Sequence, residues 1–360
     1  MTQIVCLSDQ PWSAYADRTP QLMARLRDCQ ILYFEPPGPT PAGKMPGLAR
    51  RVRPNILLYT LPSVPKTEDF YGLRLRLGRR KTADFIQARL QRHGFRDPLL
   101  WMTHPSYVPM LDYLAYRGLV YDCGAFHAPA LNQQEGALAQ AADVVFAASP
   151  GLKDRLSPCS ANIAVIPNGV NHPMFCRADL TPPACLQGLP GPLLGWVGRL
   201  TPRLDLAPLE YTAAEHPGWT FVLAGDGDHP RLRLLRQLPN VVLPGPCPPE
   251  ELPDWLTRFD ACLHLLEEGS QDNDVIPSRF LEYLATGKPV VSMAWEDQVE
   301  YFPDVVYSAH SPQEFSQLCQ RALEESPEWV SGRRREYGRA SAWTNRAAEI
   351  KRILDGIGLF

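Results

Sequence analysis

The run Asp274-Val-Ile-Pro-Ser-Arg-Phe-Leu-Glu-Tyr-Leu-Ala-Thr-Gly-Lys-Pro-Val-Val-Ser292 gathers residue types that hold phosphates and sugars. Pro277 suits the first position of a helix, which needs no N–H, and Gly287 suits a left-handed exit. Phe280, Leu281, Leu284 and Ala285 recur at helical spacing and form an apolar face, with Glu282 on another side. The opening turn of such a helix presents unpaired N–H groups and the positive end of its dipole, which favours phosphate. Ser278 and Arg279 add a hydroxyl and a guanidinium there. One turn on, Glu282 is placed to accept from both ribose hydroxyls, as the acid of dinucleotide-binding folds does. Asp274, in the leading loop, is placed to meet a sugar hydroxyl. The same spacing also fits a capped amphipathic helix whose acid merely faces solvent.

These residues need a sheet behind them, and the pattern supplies two. Short apolar runs alternate with amphipathic ones, as in α/β chains with parallel sheets. Strands are expected at Gln3–Leu7, Gln30–Phe34, Ile56–Thr60, Pro98–Met102, Leu119–Asp122, Val144–Ala147 and Ala164–Pro167. Helical stretches between them include Thr19–Arg27, Lys81–His93 and Gln133–Ala141, and Pro36–Pro54 reads as a loop. Pro and Gly enrich Arg177–Pro192, the expected linker. Strands resume at Leu193–Val197, Trp219–Ala224, Val241–Leu243, Ala261–Leu265 and Pro289–Ser292, with helices around Leu206–His216, Pro249–Arg258 and Ser278–Ala285. The expectation is a doubly wound domain over 1–176, a linker over 177–192 and a second doubly wound domain over 193–340.

Composition bounds the function. The 360 residues suit two ordinary domains, and 45% hydrophobic with 21% charged content is that of a globular protein with sizeable cores. No apolar run reaches eighteen residues, and the N-terminal run breaks at Asp9, so it reads as a first strand and not a signal peptide. Nine scattered cysteines with no Cys-x-x-Cys argue for a reducing, cytoplasmic setting and against a zinc site. No acidic or histidine cluster has metal-ligand spacing. Residues 1–172 carry 19 Lys and Arg against 13 Asp and Glu, and the remainder 17 against 26. The basic half, with Arg74-Leu-Arg-Leu-Gly-Arg-Arg-Lys81 ahead of a helix bearing Arg89 and Arg92, suits an anionic surface, either membrane headgroups or simply solvent. Nucleic acid is not expected.

Strand ends in the first half carry further candidates, because α/β sites gather at C-terminal strand ends. His104 follows the apolar run ending at Met102, and Asp122 and His127 follow Leu119-Val-Tyr121. Any of the three could act as base or orient a hydroxyl; sequence leaves the choice open.

The 274–292 segment resembles the donor-site signature of GT-B glycosyltransferases, especially bacterial family-4-like (group 1) enzymes, in which two acids flank a seven-residue gap. Here the pair is Asp274 and Glu282, with Asp where many members carry Glu. The Glu-Tyr-Leu-Ala-x-Gly-Lys-Pro-Val-Val variant is similar to the subgroup of teichuronic-acid and exopolysaccharide biosynthesis enzymes. Ile166-Pro-Asn-Gly-Val-Asn171 resembles the segment closing the family's N-terminal domain. Gly195-Trp-Val-Gly198-Arg199 resembles the turn opening its C-terminal domain, where the Arg helps hold the donor diphosphate. Trp12–Met23, with Arg18 and Gln21, resembles the first helix entry of that subgroup, on the acceptor side. The tail around Trp343 resembles the helix over 341–360 that crosses back to the N-terminal domain. The family's Lys is absent: its positions hold Leu204 and Asp205, and Arg203 or Arg279 would have to supply the charge.

The resemblance implies two Rossmann-like domains facing across a cleft. It implies metal-independent transfer, without cofactor, of a sugar (a hexose by the family's habit) from a nucleotide-diphosphate donor to a cell-surface glycan or lipid-linked acceptor. The enzyme would stand in the cytoplasm or at the inner face of the membrane. Nucleotide-sugar epimerisation, or a silent nucleotide-sugar-binding scaffold, are the alternatives.

Overall fold

The computed structural model describes residues 1–13, 18–37, 48–62, 71–294, 301–325 and 328–360. Side chains of 71–77 and of residue 272 lie outside the described set. The chain divides into two compact units, Met1–Pro167 with Arg346–Phe360, and Asn168–Asn345.

The first unit is built on β1 (Thr2–Leu7), β2 (Cys29–Glu35), β3 (Arg50–Arg53), β4 (Ile56–Thr60), β5 (Leu99–Met102), β6 (Gly118–Cys123), β7 (Val144–Ala147) and β8 (Ile163–Val165). They lie in the order β3-β4-β2-β1-β5-β6-β7-β8, parallel throughout except for the antiparallel β3–β4 pair. Ile4, Val5, Leu32, Leu100, Val120 and Phe146 are all fully or nearly fully buried, as strands covered on both faces require. The expected loop at 36–54 is corrected at its end: Arg50–Arg53 is an edge strand, mostly exposed, paired through its backbone to β4. Residues 38–47 of that loop lie outside the described residues.

The second unit holds β9 (Leu193–Val197), β10 (Thr220–Ala224), β11 (Val241–Gly245), β12 (Ala261–His264), β13 (Val290–Met293) and β14 (Val306–Ala309), all parallel. Their order, β11-β10-β9-β12-β13-β14, is that of a dinucleotide-binding sheet, with the switch point between β9 and β12.

The contact boundaries differ from those read in the sequence. Val170 is fully buried in the second core, donates its N–H to the Ser341 carbonyl and accepts from the Trp343 N–H. Leu186, in the middle of the expected linker, is also buried in that core. Residues 168–192 therefore pack with the second unit, and the division falls at 167/168. The last helix, Trp343–Gly356, groups with the first unit from Arg346 onward. Arg117 donates to the Leu359 carbonyl at 2.6 Å, and Lys351 pairs with Asp28 at 2.8 Å.

Candidate functional site

The switch point of the second sheet carries a cavity of about 360 Å³. Its walls come from the end of β9 and the turn after it (Trp196, Gly198, Arg199), the end of β12 (His264), and the helix Ser278–Thr286 (Arg279, Tyr283). Each wall has a local cause. Gly198 donates its N–H to the Ala224 carbonyl, and a Cβ on Gly225 would stand 2.0 Å from the Gly198 carbonyl oxygen. Only glycine at 225 lets the two turns approach this closely. The stretch after Arg199 is stitched to the loop after β12: Thr201 donates to Glu267 at 2.7 Å, and Asp205 N–H to the Leu266 carbonyl at 2.8 Å. Asn273 braces that loop with two bonds to the Glu267 backbone, at 3.1 and 2.7 Å.

The helix Ser278–Thr286 buries Phe280, Leu281, Tyr283, Leu284 and Ala285 and ends at Gly287, whose φ of 80° is left-handed. Pro277 stands one position earlier than the sequence suggested, as the N-cap residue. Arg279 and Glu282 lie on the opposite side and pair at 3.0 Å. Tyr283, not singled out in the sequence, accepts a hydrogen bond from the Val197 N–H at 3.0 Å and so fixes the end of β9. His264 was missed as well. It is buried against Phe280, ring centroids 5.0 Å apart, and burial pulls its pKa from 6.5 to about 4, so it is neutral at pH 7. A buried tyrosine needs a partner for its hydroxyl, and that was the one available signal for Tyr283.

The expected donor residues separate. Gly198, Arg199 and Arg279 line the cavity. Arg199 is exposed and makes no side-chain hydrogen bond or ion pair among the described residues. Arg203 is exposed, stands outside the lining, and donates to the Glu268 carbonyl at 3.2 Å. Leu204, at one of the absent Lys positions, is instead a buried part of the wall. Asp274 and Ser278 are buried and do not line the cavity, and the Ser278 hydroxyl has no hydrogen-bond partner among the described residues. Glu282 also stands outside the lining, held to Arg279.

In the first unit the residues expected on the acceptor side are buried and partnered. Arg18 is 3% exposed; its Nε donates to Asp122 at 2.6 Å and its Nη1 to the Ile166 carbonyl at 2.7 Å. Asp122, expected as a candidate base, is 1% exposed, and Trp101 donates to its other oxygen at 3.4 Å. Burial outweighs the neighbouring Arg18 guanidinium and leaves its carboxyl raised above the usual value. A base must reach its substrate, and this carboxylate is instead the buried partner of a guanidinium. Gln21 is buried too, its side-chain oxygen accepting from Arg25 at 2.7 Å. His104 and His127 do meet, edge to face with centroids 4.7 Å apart, at the ends of β5 and β6. Cys123, His127 and Glu135, which the sequence did not bring together, place their ligand atoms within 4.8 Å of one another. Spacing hid this, because the three come from a strand end, a loop and a helix.

Residues 207–354 match a family described as glycosyl transferase-like. The chain is 27% identical, over 68% of each chain, to TuaH of Bacillus subtilis, which is assigned provisionally to teichuronic acid biosynthesis as a glycosyltransferase. Its fold is similar to sucrose-phosphate synthase of Thermosynechococcus elongatus (TM-score 0.75, 16% identity, 99% of each chain). It is also similar to Anabaena HepE, solved with UDP and glucose (TM-score 0.70, 15% identity, 99% of each chain). The fold is that of the GT-B glycosyltransferase structures it resembles.

Proposed function

We propose that the chain transfers a sugar from a nucleotide-diphosphate donor to a cell-surface glycan or lipid-linked acceptor, without a metal in the transfer step. The observation that carries this reading is the cavity at the β9/β12 switch point, with Arg199 and Arg279 in its wall. Two guanidiniums aimed at a diphosphate supply the charge stabilisation that a leaving nucleotide needs. HepE, bound to UDP and glucose, supports a sugar nucleotide as the donor class. Glu282 serves the ribose and, through its ion pair, holds Arg279 toward the cavity. His104, just past the end of β5 in the first unit, is placed where an acceptor hydroxyl would be oriented.

The enzyme works from the cytoplasm at the inner membrane face. Among the described residues no helix is long and apolar enough to cross a membrane. The basic stretch lies inside the helix Tyr71–Arg92, and not ahead of one; Arg79, Arg80 and Lys81 are exposed there and suit anionic headgroups. Arg74 and Arg76 have side chains outside the described residues.

Calorimetric titration of UDP, GDP, ADP and dTDP tests the donor assignment. Arg199→Ala, Arg279→Ala and Glu282→Ala should each weaken the best nucleotide about tenfold or more, since bonds to charged groups contribute about 1.5–3 kcal/mol. A ribose contact by Glu282 requires that Glu282→Ala still weaken binding in an Arg279→Ala background. Unchanged affinity in all three single variants would refute the donor site.

A further inference from the structure

We propose that Cys123, His127 and Glu135 form a zinc(II) site that clamps the loop after β6 to the helix Asn132–Ala141. The three ligand atoms converge: Cys123 Sγ lies 3.7 Å and His127 Nε2 4.0 Å from the same oxygen, Glu135 Oε1. Tetrahedral zinc, with bonds of about 2.3 Å to sulfur and 2.0–2.2 Å to nitrogen and oxygen, sets ligand atoms roughly 3.4–3.7 Å apart. All three ligand atoms fall within 4.8 Å of one another, so closing onto an ion draws them together by up to about 1 Å. The site is enclosed, with Cys123 fully buried, Glu135 1% exposed and the His127 side chain 10% exposed.

The second observation is independent of the spacing. His127 Nε2 is buried and has no hydrogen-bond partner among the described residues, although a carboxylate stands near it. A buried imidazole nitrogen aimed at a carboxylate and a thiol, and bonded to neither, is what a ligand nitrogen looks like. The carboxylate is itself held as ligating carboxylates are: Tyr121 donates to Oε1 at 3.0 Å and Arg155 to Oε2. His104 is not a fourth ligand. Its Nδ1 accepts from the Ser106 N–H at 3.2 Å, so the neutral ring carries its proton on Nε2 and packs edge to face on His127. Water completes the tetrahedron.

Thiolate, imidazole and carboxylate together suit zinc better than magnesium or calcium. Binding exchanges the Cys123 S–H bond for a sulfur–zinc bond and releases that proton to solvent; thiolate and carboxylate then balance the two positive charges. No electron is transferred. The site joins two elements of the first unit, is distinct from the donor cavity in the other unit, and leaves His104 as the histidine available to substrate.

Full-length protein stripped with chelator should take up one equivalent of zinc, read by elemental analysis after gel filtration. Cobalt(II) in its place should give a thiolate-to-cobalt charge-transfer band. That band should vanish in Cys123→Ser, survive in Cys176→Ser, which removes the exposed thiol beside His172, and require at least tenfold more cobalt in His127→Asn and Glu135→Gln. Circular dichroism of each variant, and its retained nucleotide affinity, check that the rest of the chain is folded. If Cys123→Ser unfolds, the His127→Asn and Glu135→Gln titrations decide. No stoichiometric uptake, a band lost only in Cys176→Ser, or unchanged affinity in both of those variants overturns the site without touching the donor assignment.

Discussion

Replacing Arg18 with methionine would strand the Asp122 carboxylate in a place water does not reach. Asp122 is 1% exposed, its close charged partner is Arg18 at 2.6 Å, and the Trp101 indole at 3.4 Å is a weak substitute. Breaking a buried pair from one side typically costs about 3–5 kcal/mol. A second route gives the same size. Without Arg18 the carboxyl can escape its charge by protonating, and doing so at pH 7 from an ordinary value of 3.8 costs about 4 kcal/mol. That route also fixes the sign of the pH dependence. The variant's folded carboxyl would titrate above its unfolded value, so the penalty should shrink by roughly 1.4 kcal/mol for each unit the pH falls from 7 toward 4. Native-state hydrogen exchange of the Gly118–Cys123 amides reads the first unit separately from the second, which a global melt of a two-unit chain does not. Adding Asp122→Leu should recover most of the loss. A penalty under about 1 kcal/mol, or one that stays constant with pH, would show that this pair does not hold the strand end as argued.

Two further perturbations address the donor cavity. Gly225→Ala places a methyl 2.0 Å from the Gly198 carbonyl oxygen, a backbone atom, so the Gly198–Arg199 turn must move; nucleotide affinity should fall at least tenfold with little change in secondary structure by circular dichroism. Wild-type affinity would mean that this turn does not position the diphosphate. His264 is neutral in the fold because burial lowers its pKa to about 4, so the unfolded chain protonates first on acidification. About 3 kcal/mol of stability, fully present above pH 6.5, should be lost between pH 6.5 and 4. His264→Asn should remove most of that acid sensitivity from urea unfolding of the second unit, and equal sensitivity in both proteins would contradict the burial argument.

Apolar strands were legible because burial on both faces writes itself as a run: Leu193–Val197, Ile56–Thr60 and Val144–Ala147 stand where the runs placed them. Arg50–Arg53 left no such trace, since an edge strand needs only a backbone partner and its arginines face solvent. The domain boundary was displaced because Pro and Gly mark turns, whereas Leu186 and Val170 show what those turns pack against. In the cavity wall, Arg279 was expected from the helix start and Gly198 and Arg199 from the family resemblance. The side chains that brace them were not. Tyr283 supports Val197 from 86 positions away, and Arg18 meets Asp122 across 104. Local spacing says which side chains could bind a phosphate, while the fold decides which charges are already used. Arg199 and Arg18 look equivalent in the sequence, and burial separates them: one guanidinium stands exposed in a cavity wall, and the other is consumed in holding a strand end.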